Sequence, residues 1–360
     1  MRDSNFELLR IIAMFMVIIS HFFVHTDFPY NGDFTLNNII INVFGIGKIG
    51  VALFVLLSGY FLIDAKFSGK KIVRFASQVW FYGLIILLIA YLTGIGEITE
   101  KIFFRSVLPF RSTNWFARVY LLLLFVYPVL NYFIKRMTQK RLEQFILIFG
   151  FLWTVIPIFS LYSLGNVRIT TIYLYVIGAY IKMYGVRCFG SLSRRISVVI
   201  VNVFVITISV ILITYLQKTK VFLCGREDAL LSYNSIFLIV LSVAVFLIFK
   251  DMRIQYNEYI NKVAQTVFGI YLIHDSALTR NWIWNDIFRG YRFYESEYLL
   301  VYGILCSILV FLVCGFIDWF RIQFIERPLF KDFDYIYDYW KSVILGRFRS
   351  EIIKIISYRK

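Results

Sequence analysis

The sequence predicts an all-α integral membrane protein of about ten transmembrane helices with both termini cytoplasmic. Three observations carry that fold class. Of the 360 residues, 60% are hydrophobic and only 17% charged, with a mean hydropathy of +0.73, values that soluble domains rarely reach. The apolar residues gather into runs of about twenty, the length that crosses a hydrocarbon core as a helix, and the short alternating segments of a membrane barrel are missing. Lysine and arginine are also unevenly placed. With the N-terminus inside, the segments on that side hold 25 of the 38, the asymmetry that orients membrane proteins.

The spans, in order, are residues 8–25, 43–63, 73–93, 117–134, 143–161, 169–185, 196–216, 233–249, 263–280 and 298–320. The first reads LLRIIAMFMVIISHFFVH. No small-x-small cleavage site follows it, so it is expected to be a retained helix and not a signal peptide. The second opens on Gly45, Gly47 and Gly50, a literal G-x-G-x-x-G. Without a surrounding βαβ unit it is no dinucleotide site; small residues there permit close helix packing or approach of backbone to a ligand. Ser58 lies near the end of that span. The outside loops 94–116 and 281–297 carry Asn114 and Trp115, and Trp282 and Trp284. Aromatic faces stack on sugars, but Trp at headgroup level is expected of any membrane bundle. After residue 330, a basic and aromatic stretch over 331–360 suggests an interfacial amphipathic helix on anionic lipid. The division is therefore a membrane domain over 1–330 and a cytoplasmic tail over 331–360.

A net charge of +16 raises the question of nucleic acid. Positive-inside placement and anionic headgroups account for it, and no folded basic domain outside the membrane is foreseen, so no nucleic-acid partner is expected. The four cysteines, Cys188, Cys224, Cys306 and Cys314, lack metal-ligand spacing, and neither a disulfide framework nor a metal site is expected.

Polar residues in costly places mark the candidate site. Arg10 and His21 stand eleven residues apart within the first span, so on a helix they share one stripe, ~16 Å apart along the axis. A charge inside a span costs about 2.5–3.5 kcal/mol on insertion scales and faces protein or a polar cavity. Glu7, three residues before Arg10, can partly neutralise it. The only histidines, His21, His25 and His274, all fall toward the outer side, and imidazole is the side chain suited to take a proton near neutral pH. Lys70 and Arg74, one turn apart before the third span, join Arg10 on the cytoplasmic side, where cations can grip phosphates. Glu326, in Glu326-Arg327-Pro328, can pair with those cations beside a helix-stopping proline.

The ordered set FELLRIIAMFMVIISH, GKIGVALFVLLSGYF, NWFARVYLLLLFVYPVLN, YLYVIGAYI, FGIYLIHD and IERP resembles the integral-membrane acyltransferase-three family, which includes bacterial polysaccharide O-acetyltransferases. Arg10 and His21 match its R-x10-H pattern. The resemblance implies a membrane O-acyltransferase of the bacterial cytoplasmic membrane. It would pass an acetyl group from cytoplasmic acetyl-CoA to a hydroxyl of a cell-surface polysaccharide or its lipid-linked precursor, alongside other glycan-assembly proteins. It further implies that His21 is the catalytic histidine and Arg10 its partner toward the donor. Lys70 and Arg74 would match an R-x-x-x-R element on CoA, with Lys replacing the first Arg. Supporting or acceptor roles then fall to Glu7, His25, Ser58, Asn114, Trp115, His274 and Glu326. A transporter or flippase would also use intramembrane Arg and His, but no inverted repeat or pair of broken helices is visible. Direct transfer and transfer through an acyl-histidine use the same imidazole.

Overall fold

The computed structural model describes residues 3–159, 166–186, 189–217, 230, 232–331 and 333. Every described element is helical, and helical residues occupy the expected spans as far as these are described. Six helices are long and apolar enough to cross a membrane: Ser4–His25, Leu36–Leu62, Gly69–Thr93, Trp115–Arg136, Leu192–Leu216 and Leu299–Lys331. Cys188, Cys224 and nearly all of the tail over 331–360 lie outside the described residues; Cys306 and Cys314 are buried free thiols.

The order is α1 (Ser4–His25), α2 (Leu36–Val43), α3 (Gly47–Leu62), α4 (Gly69–Thr93), α5 (Glu100–Val107), α6 (Trp115–Arg136), α7 (Gln139–Gly150), α8 (Ile156–Phe159), α9 (Val167–Tyr184), α10 (Leu192–Leu216), α11 (Ile236–Asp251), α12 (Glu258–His274) and α13 (Leu299–Arg321). Starts follow capping chemistry. Thr99, Thr138, Asn166, Ser191 and Asn257 each accept a backbone N–H of the first turn, satisfying donors that the helix itself cannot. Gly94 ends α4 in the left-handed region at φ 71°, where a glycine carries no steric penalty.

Helix α1 is the axis of the molecule. It packs on α3, α12 and α13, and Leu9, Ala13, Ile18 and Phe22 are fully buried. The glycines on α3 explain how close these helices lie. A Cβ on Gly50 would come within 2.3 Å of the Ala13 carbonyl, and one on Gly47 within 2.4 Å of the Ser20 Cβ. Against α9 the relation is reciprocal: Gly59 meets the Tyr175 carbonyl and Gly178 the Leu56 carbonyl, at 2.2 and 2.3 Å. Close packing is therefore the use of Gly47 and Gly50. Gly45 has open space beside it.

The structure differs from the sequence expectation at several boundaries. The second span begins at Leu36 because Thr35 caps α2 through the Asn38 N–H, and a 3₁₀ turn at Phe44–Ile46 joins it to α3. The ninth ends at His274, six residues early, where Asp275 leaves the helix. Pro328 does not stop the last helix. A π turn over Ile322–Glu326 absorbs the missing hydrogen bond, and the helix runs on to Lys331, as π bulges allow. Trp284 is neither a sugar platform nor an interfacial anchor: it is fully buried, edge-on to Phe22.

Candidate functional site

Five helices enclose a cavity of about 650 Å³, within the usual range for small-molecule sites. Its wall on α1 is the stripe Arg10, Met14, Val17 and His21, the positions that helical periodicity puts on one face. Facing it are Lys48 and Ser58 of α3, Lys71 and Gln78 of α4, Trp115 and Tyr120 of α6, and Gln265 and Tyr271 of α12. Arg10 and His21 thus open on one space, toward opposite ends of a single helix face.

At the Arg10 end, Arg10 pairs with Glu7, which is buried; the second Glu7 oxygen has no hydrogen bond. A vestibule of about 560 Å³ adjoins the cavity through the shared residues Arg10, Phe61, Gln78 and Gln265, and is bounded by Arg321 and Glu326. Arg321 donates to Glu326 at 2.5 Å and to the fully buried Asp318 at 2.7 Å. The Tyr82 hydroxyl donates to the same Asp318 oxygen at 2.6 Å. Glu326 therefore meets a cation, as its place in the sequence suggested, but the cation belongs to its own helix.

The α4 cations divide. Lys71 lines the cavity, with Phe75 and Gln78 one and two turns further on; Lys70 and Arg74 do not. Arg74 is exposed, with its guanidinium 5.1 Å from the centre of the Phe330 ring. The register of α4 presents 71, 75 and 78 to the cavity, so 70 and 74 turn to the side.

At the other end the fold gathers all three histidines. His21 Nδ1 lies 2.9 Å from His274 Nε2, and His274 Nδ1 lies 2.6 Å from the Ile270 carbonyl. With both rings neutral, these contacts fix the tautomers. A carbonyl only accepts, so His274 Nδ1 carries the hydrogen and its Nε2 is a lone pair. His21 must then donate from Nδ1, which leaves its Nε2 unprotonated as the ring nitrogen available to the cavity. His274 and Asp275 are buried to 0% and 2% exposure. One Asp275 oxygen sits 3.4 Å from Arg280 Nε, 3.6 Å from His25 Nε2 and 3.8 Å from His21 Nδ1, without a hydrogen bond. Donor atoms of His21, His25 and Asp275 lie within 4.8 Å of one another, a spacing a metal ion can use. His21 Nδ1 is already engaged by His274, and Arg280 places a positive charge beside Asp275.

The remaining candidates divide. Ser58 lines the cavity, donating to the Phe54 carbonyl at 2.8 Å and lying 3.3 Å from the Tyr120 hydroxyl. Trp115 lines it too, edge-on to Tyr233. Asn114 is buried behind the cavity at the start of α6 and does not line it. The sequence reading left out Asp275, Arg280, Lys48, Lys71 and Tyr233. The one signal for Asp275 was its place directly after His274.

Comparison with known proteins gives one match. The model of an acyltransferase domain family, acyltransferase-three, covers residues 3–334. No curated protein and no solved structure matches the chain.

Proposed function

The chain belongs to the acyltransferase-three domain family, and from that premise we propose that it is an O-acyltransferase. It moves an acetyl or other short acyl group from cytoplasmic acyl-CoA to a hydroxyl of a cell-surface polysaccharide or its lipid-linked precursor. In this reading it is a ten-span protein of the bacterial cytoplasmic membrane, with both termini inside and the tail over 331–360 on anionic lipid.

The observation that supports this best is the cavity with Arg10 at one end and an unprotonated His21 Nε2 at the other. Acyl-CoA is a long molecule with phosphates at one end and a thioester at the other. Arg10 and Lys71 offer cations to the phosphates, and the ~16 Å of α1 between Arg10 and His21 suits a pantetheine arm. A sugar hydroxyl needs its proton removed to attack a thioester. The oxygen adds to the acyl carbon as its proton passes to His21 Nε2. The carbon–sulfur bond then breaks, and the leaving thiolate takes that proton back, giving ester and free CoA. A route through an acyl-imidazole uses the same nitrogen. Tyr233 and Tyr120 border the space where the carbonyl oxygen would carry negative charge.

Membranes incubated with labelled acetyl-CoA test the reading by following label into glycan. Wild-type membranes should transfer it. His21→Ala should reduce transfer by about a hundredfold or more at unchanged protein level, and transfer at the wild-type rate by that variant overturns the mechanism.

A further inference from the structure

A second groove lies on the far side of Trp115. It has a volume of about 570 Å³ and shares Trp115 with the main cavity. The bond from the Phe116 N–H to the Tyr271 hydroxyl, at 3.1 Å, ties this end of α6 to α12 one turn before His274. The groove therefore opens at the histidine end of the molecule.

Its chemistry is split along the helix. At the top are Arg118 of α6 and Arg168 of α9, with Arg105 within electrostatic reach of Arg118. Among the described residues none of the three has a carboxylate within 4 Å. Arg118 gives one nitrogen to the Ser112 carbonyl at 2.6 Å, which holds the guanidinium while leaving its other donors unused among the described residues. Below Arg118, one and two turns along the same face, follow Leu122 and Phe125, which are 51% and 46% exposed. Clustered cations at a helix end with an apolar stripe running away from them fit an anionic headgroup with a single hydrocarbon chain.

We propose that this groove binds the phosphate of a lipid-linked acceptor, Arg118 and Arg168 gripping the phosphate and the Leu122–Phe125 stripe carrying the chain. The glycan attached to that phosphate would then pass Trp115 toward His21. The assignment of this lipid as an acceptor rests on the acyltransferase reading; the binding site itself does not.

The test has a binding arm and a transfer arm. The full chain in detergent is titrated with a polyprenyl phosphate, phosphatidylglycerol or inorganic phosphate, with native mass spectrometry as readout. Polyprenyl phosphate should bind at least about tenfold more tightly than phosphatidylglycerol. The exposed Arg168→Gln and the double variant Arg118→Gln/Arg168→Gln should weaken it by about tenfold or more. Equal binding of phosphatidylglycerol marks an ordinary boundary-lipid site and overturns the proposal, as does binding of inorganic phosphate alone. In the transfer arm, the double variant should raise KM for a lipid-linked glycan about tenfold and leave KM for acetyl-CoA unchanged. If wild-type protein acylates the lipid-free glycan equally well, the acceptor role is overturned. Tight lipid-phosphate binding with no acyl transfer to either glycan would sink the acyltransferase reading and leave the binding site standing.

Discussion

His274 contributes no atom to the cavity wall, yet it decides which nitrogen of His21 is left unprotonated. Its Nδ1–H is tied to the Ile270 carbonyl within its own helix, so its Nε2 can only accept. Removing that acceptor leaves His21 free to adopt the other tautomer. His274→Ala should therefore lower kcat about a hundredfold with KM for acyl-CoA unchanged, and His274→Gln, whose amide oxygen can accept from Nδ1, should restore part of it. Equal loss in both variants would refute tautomer control. At this scale the sequence was legible where one helix sufficed. Arg10 and His21 share a face by spacing alone, and Glu7 reaches Arg10 within one turn. It was illegible where the contact crosses helices: 253 residues separate His21 from His274, and no local pattern announces that pairing. Lys71 was passed over for Lys70 and Arg74 because three neighbouring cations on one turn look alike until the register is known.

Among the elements, α3 is constrained on two sides. It lies between α1 and α9 with backbone against backbone on both sides, at Gly50 and at Gly59. Gly50→Val would drive its side chain into the Ala13 carbonyl, on the same helix that carries Arg10 and His21. Overpacking of this kind costs about 1–3 kcal/mol, and thermal unfolding in detergent should show a matching loss of stability, together with reduced activity in the folded fraction. A variant with wild-type stability and activity would show that α1 and α3 can separate without harm. The glycine run was readable as a packing signal because it opens an apolar helix. The π turn before Pro328 was not readable. Proline alone predicts a stop, whereas here the π turn carries the helix on, with Arg321 packed between Asp318 and Glu326.

For the whole molecule, the helical class and the six long apolar helices followed from apolar run length, because that property is local. The cavity did not, since it exists only where α1, α3, α4, α6 and α12 converge. That convergence has a consequence for energetics across the membrane. A proton collected by His21 can pass to His274, but beyond His274 the next bonded partner is a peptide oxygen, which cannot carry it onward. The Asp275 oxygen stands 3.8 Å from His21, outside hydrogen-bond range. Among the described side chains the histidine pair leads no further, so in the proposed transfer the proton taken by His21 Nε2 leaves from the same nitrogen and the cycle is electroneutral. In sealed proteoliposomes, dissipating the membrane potential and the pH gradient with an uncoupler should leave the rate of acyl transfer unchanged. A rate that collapsed with the gradient would require a proton exit that the described side chains do not provide, and would overturn the electroneutral cycle.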